Sequence, residues 1–320
     1  MALRSMRDVY CDVLLELAEA NDAIVVLNAD LSVAIGTKRF EQKFPDRSFN
    51  VGVAEANMIG VAAGLSARGK IPFASTFAVF ASRRTFDQFF ISGNYARLNI
   101  KLVGSDPGIT AGFNGGTHMA LEDIGMMRSV PGLVVFEPCD NVSLRSLVLQ
   151  SAAHKGCTYM RLHRKDGNII YGEDDNFQLG KGKVLRQGKD VTIIATGFIM
   201  VPQALKAAEL LERSRISSAV IDMHTIKPID KELIVTQAAA TEAVVTCENH
   251  QIVGGLGSAV SEVLAEAGTG RLKRIGVRDE FGEVGSDAYL MDRFGFTADK
   301  ICEEVMLFLN KTPKEKVRNL

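Results

Sequence analysis

Twice along this chain, runs with helical spacing alternate with short strand-like runs, and no other feature restricts the fold as strongly. In the first half, a helical run over 7–20 precedes a strand over 23–28, and a strand over 49–53 leads into an Ala- and Gly-rich helix reaching 65. Strand-like stretches follow at 71–75, 100–104 and, after a helix over 141–154, at 158–162. In the second half, strands over 191–196, 218–222, 243–248 and 272–277 are separated by helices over 201–213, 231–239 and 254–267. Such alternation buries its apolar surface when the strands lie parallel and the helices cover the faces of the sheet. The pattern predicts an α/β protein of two doubly wound domains, residues 1–165 and residues 190–320. The Gly-, Lys- and Asp-rich segment 166–189, with little periodicity, reads as the linker. At 320 residues the chain is long enough for each domain to have its own core.

Composition works mainly by exclusion. A hydrophobic content of 47% with 23% charged residues is that of a soluble globular protein. A net charge of -1 leaves no basic footprint, so no nucleic-acid partner is expected. No apolar run is long enough to cross a bilayer and residues 1–7 lack a signal-peptide core, so the expectation is a cytoplasmic chain with no membrane partner. Five cysteines, Cys11, Cys139, Cys157, Cys247 and Cys302, form no CxxC pair and have no histidine at metal spacing. They are expected to be reduced, mostly buried and without a chemical role.

Chemistry concentrates where strands end. Asn50-Val51-Gly52-Val53-Ala54-Glu55-Ala56-Asn57-Met58-Ile59-Gly60 sets one carboxylate in a first helical turn, where it complements the positive end of the helix dipole even if it does nothing more. Thr76-Phe77-Ala78-Val79-Phe80 follows the next strand, and the loop Gly112-Phe113-Asn114-Gly115-Gly116-Thr117-His118 follows the one after. Strand ends in an open α/β sheet are where ligands bind.

In this order and spacing, these pieces resemble the pyrimidine-binding half of the transketolase family of thiamine diphosphate enzymes. The family's Glu at a small-residue helix start matches Glu55, its Thr-Phe-x-x-Phe segment matches Thr76 to Phe80, and its Gly-x-x-Gly-x-Thr-His loop matches Gly112 to His118. Glu122-Asp123 and Arg128-Ser129-Val130-Pro131-Gly132 continue the match. The segments 221–230, 248–257, 279–285 and 294–296 resemble the family's C-terminal domain, so the resemblance covers nearly the whole chain. It implies a thiamine diphosphate pyrimidine-binding fold followed by a transketolase C-terminal domain.

The resemblance also implies roles. Glu55 would hydrogen-bond the N1′ nitrogen of the aminopyrimidine and favour the tautomer whose exocyclic nitrogen deprotonates the thiazolium carbon. Phe77 and Phe80 would wall the pyrimidine, although both also read as core aromatics at a helix entry. Asp30 matches a family Asp near the cofactor and reads equally as a helix cap. On the substrate side, His118 would donate to the donor oxygen as negative charge develops. Asn114 and Asp106 would line the same space. Arg164 and Arg7 match arginines that bind the sugar's anionic end, and Arg161 could take the place of Arg164. A surface ion-pair role stands beside these for all three arginines. His224 and His250 read as structural, one before the turn at Pro228 and one in a glycine-flanked helix entry.

Absences and departures shape the rest. The cofactor's diphosphate needs Mg2+ or another divalent metal held by a Gly-Asp-Gly motif, and this chain contains none. The resemblance therefore implies the C-terminal subunit of a split enzyme whose N-terminal transketolase subunit holds the metal, joined as an α2β2 heterotetramer with self-association. Where transketolases place His, Asp and Ser, this chain has Asp106, Asn114 and Ala34, and Pro107 departs from the deoxyxylulose-phosphate synthase pattern. The expected reaction is transfer of a two-carbon ketol unit from a ketose, as its phosphate or with another anionic end, to an aldose. The alternatives are a deoxyxylulose-phosphate synthase-like enzyme, a 2-oxoacid dehydrogenase beta subunit, or a noncatalytic regulatory subunit.

Overall fold

The computed structural model describes residues 4–310. In chain order the strands of these residues are β1 (Ile24–Asn28), β2 (Ser48–Asn50), β3 (Ile71–Phe77), β4 (Lys101–Ser105), β5 (Val134–Phe136), β6 (Thr158–Leu162), β7 (Lys183–Arg186), β8 (Val191–Ala195), β9 (Ser218–Asp222), β10 (Thr225–Lys227), β11 (Ala243–Gln251) and β12 (Leu272–Val277). They form two sheets, ordered β10-β5-β6-β4-β3-β1-β2 and β12-β11-β8-β9-β7. Both are parallel except at one edge, where β10 runs antiparallel to β5 and β7 antiparallel to β9. The chain is thus two α/β domains with helices on both faces of each sheet.

Alternation within single strands explains the layering. Val25 and Leu27 of β1 pack on one face with Met58, Ile59 and Ala62 of the Glu55–Ala67 helix. Ile24 and Val26 pack on the other with Tyr10, Val13 and Leu14 of the Met6–Ala20 helix. Successive strand side chains point to opposite faces, and a strand covered on both must be apolar throughout. β8 repeats the arrangement, with Ile193 and Ile194 in different core clusters. Asp140 opens the Asn141–Ala153 helix with a capping box shared with Ser143, which marks where this helix begins. Among the described residues no helix is long and apolar enough to cross a membrane.

Register positions the site. Asn28 of β1 is aligned with Asn50 of β2 and with Ser75 of β3; Phe77 of β3 is aligned with Ser105 of β4, which is aligned with Leu162 of β6. The residues after these strand ends emerge along one edge of the first sheet.

Three sequence expectations need correction. The strand expected over 49–53 is Ser48–Asn50, because Asn50 turns its side-chain oxygen to the N–H groups of Gly52 and Asp30 and ends the ladder. The segment 166–189 is not wholly a linker: β7 within it closes the edge of the second sheet, a four-residue antiparallel strand hidden among glycines. β10, from the second half of the sequence, completes the first sheet instead of its own.

The domains are joined by a buried cation. Arg161, on β6, is fully buried, and each of its five N–H groups has a partner. Nε and Nη2 fork onto Asp123 at 2.8 and 2.6 Å, Nη1 reaches Glu137 at 3.3 Å and the carbonyl of Asn249 at 3.1 Å, and Nη2 also reaches the carbonyl of Ala120 at 3.0 Å. No donor is left for a ligand, which corrects the expectation that Arg161 could substitute for Arg164. Removing one partner of a buried ion pair leaves the other uncompensated, so Arg161→Ala is expected to cost about 3–5 kcal/mol. Denaturant unfolding of the variant measures this, and a loss under 1 kcal/mol would show that the network does not bind the halves together.

Candidate functional site

Glu55 is the first residue of the Glu55–Ala67 helix and is 3% exposed. Burying a carboxylate is costly unless hydrogen bonds or a charge answer it. Arg84 supplies both: its Nη1 lies 3.0 and 3.2 Å from the two carboxylate oxygens. The guanidinium also lies 3.8 Å from the centroid of Phe80, within reach of a cation–π contact. Sequence reasoning missed Arg84, although its place one helical turn after Phe80 was visible.

The aromatic wall comes from the end of β3 and the short Ala78–Arg83 helix it enters. Phe77 and Phe80 have ring centroids 5.9 Å apart, and Phe80 meets the His118 ring edge-on at 5.5 Å. His118 closes a 3-10 turn, with its Nδ1 3.0 Å from Thr117 Oγ1. The structure therefore brings Glu55, Phe77, Phe80 and His118 into one cluster. Asn114 is exposed in the same loop.

The Arg164 guanidinium lies 5.5 Å from the Phe77 ring centroid. Its Nε donates to Asp106 at 2.7 Å. Asp106 follows β4, with its backbone in the left-handed region at φ 53, and is nearly buried. Burial raises its carboxyl above the usual range, and Arg164 pulls against that shift. Arg7 donates to the Ala34 carbonyl at 3.2 Å. It is next to Met6, whose N–H bonds the Lys165 carbonyl, so Arg7 and Arg164 both neighbour that backbone contact. Asp30, also left-handed at φ 62, exchanges hydrogen bonds with Asn50 at 3.0 and 3.2 Å. It does not act as the helix cap that the sequence allowed, because Leu31 precedes the Ser32–Ile35 helix instead.

The buried histidines lie apart from this cluster. His250 has Nδ1 2.6 Å from the Gln251 carbonyl and accepts the Gly125 N–H at Nε2, 3.3 Å; burial pushes it down to about 4. His224 sits 3.0 Å from Thr225 Oγ1 and is likewise pushed down to about 4 by burial. His163, next to Arg164, stacks on Phe198 at 3.5 Å and falls to about 3 through burial. Of the cysteines, Cys11, Cys139, Cys157 and Cys247 are buried, Cys302 is half-buried, and none is bonded to another. Among the described residues no His, Cys, Asp and Glu side chains are grouped to hold a metal ion.

A buried carboxylate beside two aromatic rings, at the mouth of a parallel sheet, suits the nitrogen edge of a flat heterocycle: the acid meets the ring nitrogen and the rings cover its faces. The described residues fit the pyrimidine end of thiamine diphosphate in that respect.

Comparison with known proteins agrees. Residues 3–168 match the family description "Transketolase, pyrimidine binding domain" and residues 180–301 match "Transketolase, C-terminal domain". A 6-deoxy-6-sulfo-D-fructose transketolase subunit of Clostridium sp. (strain MSTE9) is 54% identical over 92% of this chain and 92% of its own length. Human transketolase is 37% identical over 95% of this chain, which spans 49% of that protein. Among solved structures, a split gene transketolase described as an inactive beta4 tetramer superposes with a TM-score of 0.89 at 44% identity, covering 97% of this chain and 99% of that one.

The Asp106–Arg164 pair gives a pH test. A carboxyl raised in the folded state binds its proton more readily there than in the unfolded chain. It therefore adds stability as pH falls through the raised value, and that gain is complete below the ordinary Asp range near 4. Arg164→Ala removes the charge that opposes this shift, so its stability penalty is expected to be smaller at pH 5 than at pH 7. Unfolding at the two pH values checks this, and an equal penalty at both would refute it.

Proposed function

The chain belongs to the transketolase family, and from that premise we propose that it is the C-terminal subunit of a split, thiamine diphosphate-dependent transketolase acting in the cytoplasm. It transfers a two-carbon ketol unit from a ketose with an anionic terminal group to an aldose, and is active only with an N-terminal subunit that holds Mg2+ and the diphosphate. The assembly is an α2β2 heterotetramer. The observation that carries this reading is the cluster of Glu55, Phe77, Phe80 and His118 at the strand ends of the first sheet.

When bound, thiamine diphosphate supplies a nucleophilic carbon that opens the bond beside a ketose carbonyl. This chain's residues prepare that chemistry. Glu55 hydrogen-bonds the ring nitrogen of the pyrimidine, with carboxylate lone pairs that the single Arg84 nitrogen beside it leaves free. Phe77 and Phe80 wall the ring and keep water from it. Asp30 borders the cofactor. His118 donates a hydrogen bond to the donor's oxygen as negative charge grows there, with Asn114 beside it on the loop. Arg164 and Arg7 attract the anionic end of the sugar, and Asp106 orients Arg164.

Between phosphate and sulfonate, charge favours sulfonate. Two arginines against one nearly buried aspartate leave about one net positive charge, which matches a monoanion better than a phosphate of about -1.5 to -2. Ala34, at the position where transketolases have a phosphate-binding Ser, removes a further donor. The identity of 54% to a 6-deoxy-6-sulfo-D-fructose transketolase subunit supports the same choice.

The test mixes the chain with an N-terminal transketolase subunit from the same organism, thiamine diphosphate and Mg2+. Ketose cleavage is expected, with Glu55→Ala slower by about 100-fold or more. A 6-sulfo ketose is expected to give a higher kcat/KM than the matching 6-phosphate. Equal rates for wild type and Glu55→Ala would remove Glu55 from the chemistry, pyruvate decarboxylation without ketose cleavage would favour a 2-oxoacid enzyme, and preference for the phosphate would overturn the sulfonate choice.

A further inference from the structure

His118 sits on a loop of the first domain, yet both stems of that loop are buried in the second. Ile109 and Ala111 on one stem, and Met119 and Leu121 on the other, share a core with Ile193, Leu290 and Phe296. On the first stem, the Asn249 side chain accepts the Ile109 N–H at 3.0 Å and donates to the Pro107 carbonyl at 3.1 Å. On the second, the Gln251 N–H donates to the Leu121 carbonyl at 2.8 Å.

Between the stems, two backbones touch through glycines. A Cβ on Gly116 would overlap the Gly282 carbonyl oxygen, one on Gly282 would overlap Met119 Sδ, and one on Gly115 would come within 2.8 Å of Val284 Cγ2. Side chains are excluded here because the second-domain segment 280–285 lies directly against the turn that carries His118. The segment is also held by Arg293, which pairs with Glu280 at 2.6 Å and Glu283 at 3.0 Å. A few residues on, Asp287 pairs with Lys165, the neighbour of Arg164. Glu55, by contrast, is held by its own helix and by Arg84, and Phe77 and Phe80 pack with Ala78, Val79 and Ala120 of the first domain.

We propose that Asn249 and Gly282 are positioning residues for His118, so that the second domain sets the substrate half of the site while the first sets the cofactor half. The catalytic part of this rests on the role given to His118 above. A shift of about 1 Å in a group that meets the reacting atoms can cost about 100-fold in rate, so a clamp that touches no substrate can still govern turnover.

The test uses Asn249→Ala and Gly282→Ala in the full chain. Hydrogen exchange of amides 108–121 is expected to quicken by about 10-fold in both, with exchange in 55–67 unchanged. In the complex with the N-terminal subunit, kcat/KM for the ketose is expected to fall by about 10-fold or more while the cofactor concentration at half-saturation stays the same. Added to His118→Ala, Asn249→Ala is expected to slow the enzyme little further, since there is no longer a histidine to place. Unchanged exchange in 108–121 for both variants would overturn the clamp, and losses that multiply with that of His118→Ala would overturn the positioning role. A wild-type complex that leaves ketoses intact would remove the functional reading, and the exchange result alone would then decide whether the clamp exists.

Discussion

A carboxylate withdrawn from water must be answered, and the site of this chain is organised around the answer to Glu55. The Glu55–Ala67 helix carries it into the mouth of a parallel sheet, where solvent no longer satisfies its oxygens. Arg84 does so in this chain, its Nη1 within reach of both oxygens and its guanidinium 3.8 Å from the Phe80 ring centroid. A flat nitrogen heterocycle could make the same two kinds of contact, a polar edge toward Glu55 and a face toward an aromatic ring. The cluster is thus a place where burial, aromatic surface and one acid, answered by an arginine, are already assembled.

What holds that cluster still is spread across the molecule. Register along β1, β3, β4 and β6 brings residues far apart in sequence to one edge. Arg161, paired with Asp123 and Glu137 of its own domain, then ties that sheet to the second domain through the Asn249 carbonyl, with no donor remaining. The same stretch of β11 that provides the Asn249 carbonyl also holds a stem of the His118 loop. The two domains therefore behave as one support for one site, which explains why glycines line the contact between them.

Much of this could be read from the residues in order. Parallel strands such as β6, β9 and β12 announce themselves as short runs between helical patterns, and their bounds coincide with those expected. Glu55, Phe77, Phe80 and His118 stand out in the sequence because each lies in a motif that follows a strand, and the structure adds that they lie near one another. β7 and β10 do not stand out, because three- and four-residue edge strands carry no periodicity and are made by pairing. Arg161 reads as a spare ligand for the same reason: four residues from distant segments decide its role, and none is near it in sequence. Asp30 looked like a cap until Asn50, twenty positions away, claimed its hydrogen bonds.

If this chain grips the heterocycle and a companion holds the metal-bound tail, neither half can retain the cofactor as the pair does. Calorimetric titration of thiamine diphosphate, with Mg2+ present, into the chain alone and into its equimolar mixture with the N-terminal subunit measures that directly. A shared pocket predicts at least about 100-fold tighter binding in the mixture, worth about 2.8 kcal/mol. Equal affinity for the chain alone and for the mixture would contradict it.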